Sequence, residues 1–159
     1  MSDRLSHVGP DGEARMVDVS AKAPTVRTAR AGGAIRMAPA TLAAIQANAL
    51  EKGDVLGVAR LAGVMAAKRT ADLIPLCHPL PLEDVQVVLT PDEALPGIRV
   101  EASTRTTAKT GIEMEAIVAA TIALVTVYDM AKAIDRGMTI GEVRLLEKTG
   151  GYGGDYRAP

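Results

Sequence analysis

The sequence predicts an α+β protein: an antiparallel sheet with helices packed on one face. Three observations lead there. Ile98, Val100 and Ala102 alternate with Arg99, Glu101 and Ser103, the two-residue period of a strand with one dry face and one wet face. The run Ala116 to Tyr128 is apolar on almost every side, interrupted only by Thr121 and Thr126, so it reads as a helix buried on more than one face. The third observation is order. From residue 25 on, the chain reads strand, helices, strand, strand, helix, strand, which is the ferredoxin-like pattern.

Taken along the chain, residues 1–15 are polar with a Pro10-Asp11-Gly12 turn, the composition of a mobile N-terminal arm. Met16 to Ser20 alternates like a short strand. Thr25 to Met37 is a longer extended segment, softened by Gly32-Gly33, where a bulge is expected. Ala40 to Leu50 reads as a short helix ended by Gly53. Asp54 is the N-cap of a second helix, Val55 to about Arg69. That helix carries Gly57, Ala59, Ala62, Gly63 and Ala66, so another element can approach its backbone closely.

Prolines 75, 79 and 81 then impose a rigid apolar loop on residues 72–82. Val85 to Thr90 and Ile98 to Arg105 form a hairpin around Pro96-Gly97. The long helix follows. Thr110 stands three residues before Glu113, the spacing of a capping box. Only one face of this helix can touch the sheet, so another subunit is the simplest cover for the rest. Thr139 to Glu147 is the last strand. Residues 16–149 thus form one domain, and 150–159 a flexible Gly-rich tail.

Composition narrows the function classes. The 159 residues carry a net charge of −1, no Phe, no Trp and three Tyr. Near-neutral charge gives no general attraction to nucleic acid, and single-stranded nucleic acid needs aromatic platforms. The N-terminus lacks a signal-peptide apolar region, and the longest apolar run is shorter than the roughly 20 residues of a membrane span. One cysteine, Cys77, excludes an intrachain disulfide and fits a reducing compartment. A cytoplasmic protein with no membrane or nucleic-acid partner is expected.

The chemistry-bearing residues each have a structural alternative. Glu113 suits a capping box, and Glu115 a helix dipole. Asp129 and Lys132 can be a surface pair three residues apart, although they flank a buried run. Glu115 and Asp129 lie about 21 Å apart along one helix and point the same way. Lys52, Lys68, Arg69, Lys109 and Lys148 can be solvated surface charge. Lys109-Thr110-Gly111 at a helix start can hold phosphate on free amides, but Ala108 stands where a P-loop needs glycine. Cys77-His78 has no partner at metal-ligand spacing, and His7 lies in the arm, so no metal site is expected. These residues suit a polyanionic small molecule undergoing proton transfers, without naming the reaction.

Met16 to Lys22 (MVDVSAK), Lys52 to Val55 (KGDV), Ala67 to Thr70 (AKRT), Asp72 to Leu80 (DLIPLCHPL), Lys109 to Glu115 (KTGIEME) and Tyr128-Asp129-Met130 with Lys132 resemble the MoaC family over residues 7–154. LIPLCHPL and KTGxEME are long, unusual strings. The resemblance implies a ferredoxin-like hexamer, a trimer of dimers, that converts cyclised dihydro-GTP to cyclic pyranopterin monophosphate with release of pyrophosphate, in molybdenum-cofactor biosynthesis. No cofactor is implied. Carried over by motif, Asp129, Lys132 and Lys52 are catalytic. Leu76, Cys77, His78, Glu113, Met114 and Glu115 bind substrate, with Arg27, Lys68 and Lys148 as further contacts. Two departures stand out: Tyr152 replaces a tail lysine that many members carry, and Ala131 replaces the cysteine usual before Lys132. The competing classes are a binding scaffold that has lost turnover and a zinc hydrolase built on Cys77 and His78.

Overall fold

The computed structural model describes residues 8, 9 and 11–159. Most of the expected arm, residues 1–7 and 10, lies outside them; within the rest of it, Val8 forms an isolated antiparallel bridge with Ala14. Met16 to Val19 is not a strand: its alternation finds no sheet edge.

The elements are β1 (Thr25–Arg36), α1 (Pro39–Gln46), α2 (Val55–Ala67), α3 (Thr70–Leu73), β2 (Asp84–Asp92), β3 (Gly97–Ala108), α4 (Glu113–Ala131), β4 (Thr139–Thr149) and β5 (Tyr156–Arg157). They give an α+β fold on one antiparallel sheet in the order β2-β3-β1-β4-β5. β5 was not foreseen. Its two residues pair with Glu147 and Lys148 and turn the end of the tail into an edge strand.

Local chemistry explains most boundaries. Pro39 opens α1, where its missing N–H costs nothing. The carboxylate of Asp54 caps α2 by accepting from the amide of Gly57 at 2.8 Å. The capping box at α4 does not form: the helix begins at Glu113 itself, Ile112 holds the N-cap position, and no side chain caps it. Thr110 is too far upstream, and Glu113 turns instead toward a neighbouring lysine. The bulge expected at Gly32-Gly33 lies opposite them in β4, where the register shifts twice. A Cβ on Gly32 would meet Leu146, and one on Gly33 would meet Leu124 and Val143, each at 3.0 Å. The two glycines make room for the side chains that the bulges re-aim.

The core is built from small aliphatic residues. Ala29, Ala31 and Ile35 of β1, Ile98, Val100 and Ala102 of β3, and Ala116, Ala119, Ala120, Ala123, Leu124 and Val127 of α4 form one buried cluster. A second subunit is not needed to cover most of α4, contrary to the sequence reading, because α2 of the same chain packs along it. Gly63 permits this: a Cβ there would lie 2.9 Å from the carbonyl oxygen of Ala119. Within the helices, the exposed large apolar residues are Val58, Leu61 and Met65 of α2, Leu73 of α3 and Val125 of α4. By length and hydropathy alone, α4 could cross a membrane, with 19 residues at a mean hydropathy of 1.6. Here it lies between the sheet and α2.

The opposite face of the sheet carries a charge ladder. Arg30 bridges Glu101 and Glu147, and Arg99 bridges Asp92 and Glu142. A shallow concavity of about 770 Å³ runs over it, but its Arg99 and Glu142 already pair with each other, and its Glu101 with Arg30.

Candidate active site

α4 carries candidate functional side chains at both ends, and different neighbours meet each end. At its start, four segments converge: the start of β1, the loop after α3, the β3–α4 connection and the end of β4. They enclose a cleft of about 570 Å³. Leu76, Cys77, His78, Glu113, Met114, Glu115, Arg27 and Lys148 all line it, eight of the nine residues expected to bind substrate. The ninth, Lys68, is exposed at the C-cap of α2 and is not among the lining residues.

The cleft wall is held by specific bonds. The hydroxyl of Thr106 donates to the carbonyl oxygen of Pro81 at 2.5 Å, and the amide of Cys77 donates to that of Ile74 at 3.1 Å. Together they fix the proline-rich loop beside β3. The Nε of buried Arg27 donates to the carbonyl oxygen of Ala108 at 3.0 Å, and its Nη2 to that of Lys109 at 3.3 Å. Its guanidinium also lies so close to Gly151 that a Cβ there would fall 2.2 Å from Nη1. Arg27 therefore ties the connection before α4 to the turn after β4. The ammonium of Lys109 donates to the carbonyl oxygen of Ser20 at 2.8 Å, which draws residues 17–22 over the cleft.

Electrostatically, the cleft sets the cations Lys22, Arg27, Lys109 and Lys148 against two carboxylates, Glu113 and Glu115. Lys148 Nζ lies 3.4 Å from Glu113 Oε1, while Glu113 Oε2 is buried without a partner among the described residues. Glu115 is 4 % exposed. Burial pushes its carboxyl above the usual range, its own backbone N–H pulls the other way, and the Glu113 charge adds to the rise. The Cys77 thiol is also raised, first by burial and then by Glu115 and Glu113. A raised thiol disfavours the thiolate that a nucleophilic cysteine needs.

The far end of α4 carries the second cluster. Asp129 Oδ1 accepts from Lys132 Nζ at 2.6 Å, and Oδ2 accepts from Lys52 Nζ at 2.8 Å. These hydrogen bonds, the Lys132 one first, hold the Asp129 carboxyl down to about 2. Asp129, Lys132 and Lys52 are each about half exposed. The structure thus unites the three residues expected to be catalytic, and it separates them from the cleft by the length of α4, about 21 Å from Glu115 to Asp129. Among the described residues, no group of three or more His, Cys, Asp or Glu side chains is placed to hold a metal ion.

Some cleft residues were not singled out as substrate contacts. Lys109 enters the sequence reading as solvated surface charge, as part of a candidate phosphate-binding helix start and in the KTGIEME motif, and Lys22 only as part of a motif. Nothing in local spacing brings residue 22 to residue 109; the contact depends on the 17–22 segment crossing over. Tyr152 lines the cleft too, and its signal was an aromatic residue isolated between glycine pairs.

Comparison with known proteins agrees with the motifs. Proteins named cyclic pyranopterin monophosphate synthase match nearly end to end. The one from Nostoc sp. is 58 % identical over 158 residues, covering 99 % of this chain and 94 % of the relative. That from Methylobacterium sp. is 61 % identical over 154 residues, covering 97 % and 96 %. That from Brucella ovis is 57 % identical over 156 residues, covering 98 % and 94 %. The MoaC family model matches residues 16–151, a span that holds both clusters, and the chain belongs to the MoaC family.

Proposed function

We propose that this protein is a cyclic pyranopterin monophosphate synthase, a phosphorus–oxygen lyase of molybdenum-cofactor biosynthesis. It converts 3′,8-cyclo-7,8-dihydro-GTP to cyclic pyranopterin monophosphate and pyrophosphate. The observation that carries this reading is identity of 57–61 % to proteins of that name over almost the full length of both chains.

The chemistry of the two clusters supports it. A triphosphate carries about four negative charges, and charge-assisted hydrogen bonds from Arg27, Lys22, Lys109 and Lys148 would neutralise them. The uncapped first turn of α4 offers backbone amides to the same anion. Closing the cyclic phosphate requires a ribose hydroxyl to attack the α-phosphorus. The bond to the bridging oxygen breaks, pyrophosphate leaves, and the hydroxyl proton goes to a base. Opening one ring and closing the pterin requires further proton transfers, the work of His78, Glu115 and the lysines. Asp129 is a weak base in its present company. Its role is to hold Lys52 and Lys132 in place, with both ammonium groups directed to one point.

The assembly we propose is a hexamer built as a trimer of dimers, with each active site shared between two chains. The separation of the clusters supports this, since two antiparallel copies of α4 would bring Glu115 of one chain beside Asp129 of another. The exposed apolar row Val58, Leu61 and Met65 on α2 supports further contact between copies. The strand order β2-β3-β1-β4, all antiparallel, supports a ferredoxin-like topology to which β5 is added. Within that topology, residues 16–149 act as one catalytic domain between an arm and a Gly-rich tail. A biosynthetic step on a soluble nucleotide supports a cytoplasmic protein that works without a membrane or nucleic-acid partner and without a resident cofactor.

The test is incubation with the cyclised GTP intermediate while pyrophosphate and pterin are followed together. Equal amounts of both products support the reading. Intact substrate after prolonged incubation with the assembled protein would overturn it in favour of a scaffold that binds without turnover.

A further inference from the structure

Tyr152, which is 80 % exposed, is the one Phe, Tyr or Trp among the described residues that line the cleft, where His78 supplies the other aromatic ring. A tyrosine at the rim of a polar cleft offers a ligand a flat apolar face and a polar tip. Its backbone setting is not a loose end. Gly150 donates its amide to Asp155 Oδ1 at 3.1 Å, and the chain beyond pairs Tyr156 with Lys148. The turn between β4 and β5 is therefore closed at its base, with Tyr152 near its tip.

Glycines fix the approach on one side and leave freedom on the other. Gly150 and Gly151 have φ of +90° and +81°, and a Cβ on them would run into Val26 and Arg27. Gly153 and Gly154 face open space. The ring is thus carried at the cleft mouth on a turn whose near side is seated on Arg27 and whose far side can swing.

The other apolar groups of the cleft, among them Leu76, Leu80, Cys77 and Met114, are aliphatic or sulfur-bearing. They give the cleft an apolar side, and the cations Arg27 and Lys148 stand at the base of the turn. A ligand with phosphates at those cations and a planar ring against that side leaves the outer face of its ring to solvent.

We propose that Tyr152 stacks on that outer face and makes the cleft select for a phosphate ligand bearing a planar heterocycle over bare polyphosphate. This rests on the cleft binding a nucleotide-derived substrate, as proposed above, and assigns a ring-recognition residue within it.

The probes are GTP and inorganic pyrophosphate, titrated into the assembled full-length protein by calorimetry. Tyrosine fluorescence provides a second readout, because the chain has three Tyr and no Trp. Tyr152→Ala is expected to weaken GTP binding about tenfold, the usual scale for loss of one stacked base, and to leave pyrophosphate binding unchanged. Tyr152→Phe is expected to keep GTP affinity within about twofold, since it keeps the ring, while losing most of the fluorescence quenching that GTP causes in the wild type.

Equal weakening of both ligands by Tyr152→Ala, or of neither, would overturn the stacking assignment, and normal pterin formation by the wild type would show that the synthase reading survives it. Loss of GTP affinity in Tyr152→Phe as large as in Tyr152→Ala would assign the contact to the hydroxyl and overturn stacking. Dissociation of the oligomer by Tyr152→Ala with unchanged GTP affinity would make the residue an interface contact and overturn it as well. Failure of the wild type to bind either ligand would remove both the cleft assignment and this inference.

Discussion

Lys52 and Asp129 meet across 77 residues of chain: the lysine Nζ donates to Oδ2 at 2.8 Å and to the backbone oxygen of the same aspartate at 3.0 Å. The loop between α1 and α2 is thereby tied to the last turn of α4. With Lys132 on the other carboxylate oxygen, two ammonium groups share one anchor. Asp129→Asn is expected to lower turnover by on the order of 10²-fold or more, because both lysines lose their fixed position. Folding should be unaffected, as the cluster is solvent-exposed and exposed pairs contribute little stability. Turnover near wild type, measured beside an unchanged melting curve, would remove the cluster from the mechanism.

Glu115 gives a pH-dependent prediction. Its carboxyl is raised in the folded state, chiefly by burial, so the native protein binds a proton that the unfolded chain has already released. Between the unfolded value and the raised folded value, stability therefore falls as pH increases. Glu115→Gln removes that loss. The variant should be more stable than wild type at neutral pH, equal to it in acid below the unfolded carboxylate value, and inactive. Parallel denaturation series at acidic and neutral pH check this; a variant that loses stability equally at both would assign Glu115 a purely structural role.

These two residues also mark how much of the site was legible. KTGIEME and LIPLCHPL pointed to Leu76, Cys77, His78, Glu113, Met114 and Glu115 of the cleft, because long, unusual strings seldom match by chance. Their grouping did not follow from spacing: Arg27, Cys77, Glu113 and Lys148 come from four separate segments, and the sheet register unites them. The fold was legible where periodicity was long. The alternation in β3 and the apolar run of α4 gave elements close to those observed. It failed where a local pattern lacked a tertiary partner or was too short. Met16 to Ser20 alternates without an edge to join, β5 has two residues and no period, and Thr110 has the right spacing to Glu113 but precedes the wrong turn. The cover on α4 was misjudged for a different reason. The glycines and alanines of α2 were read as allowing close approach, but their target, α4 of the same chain, is set by the crossing at Gly63.

That crossing is testable. A methyl group at residue 63 would meet the backbone oxygen of Ala119 at 2.9 Å and Val87 at 3.1 Å, and helix backbone cannot yield as a flexible side chain can. Gly63→Ala should cost about 1–3 kcal/mol by overpacking, despite the better helix propensity of alanine. Urea denaturation gives the value, and a gain in stability would mean that the helices separate freely.

The proposed sharing of the site between chains leads to a complementation test. Glu115→Ala and Asp129→Ala chains, each inactive alone, are mixed, dissociated and reassociated. Random pairing gives mixed dimers in half of all cases, each with one of two sites intact, so about a quarter of wild-type sites should return. Absence of recovery despite demonstrated subunit exchange would place both residues in the service of one chain's own pocket.

The position of α4 in the chain also bears on synthesis. This helix is apolar enough to be a membrane span, and it leaves the ribosome after β1, α2, β2 and β3. The surfaces that cover it, apart from β4, are thus already outside the tunnel when it emerges. With chain growth of about 5–20 residues per second, its roughly one to four seconds of emergence find a three-stranded sheet ready to receive it. A rearranged gene that placed this helix first would send the same sequence out with nothing to fold against, open to aggregation or to capture by the insertion machinery.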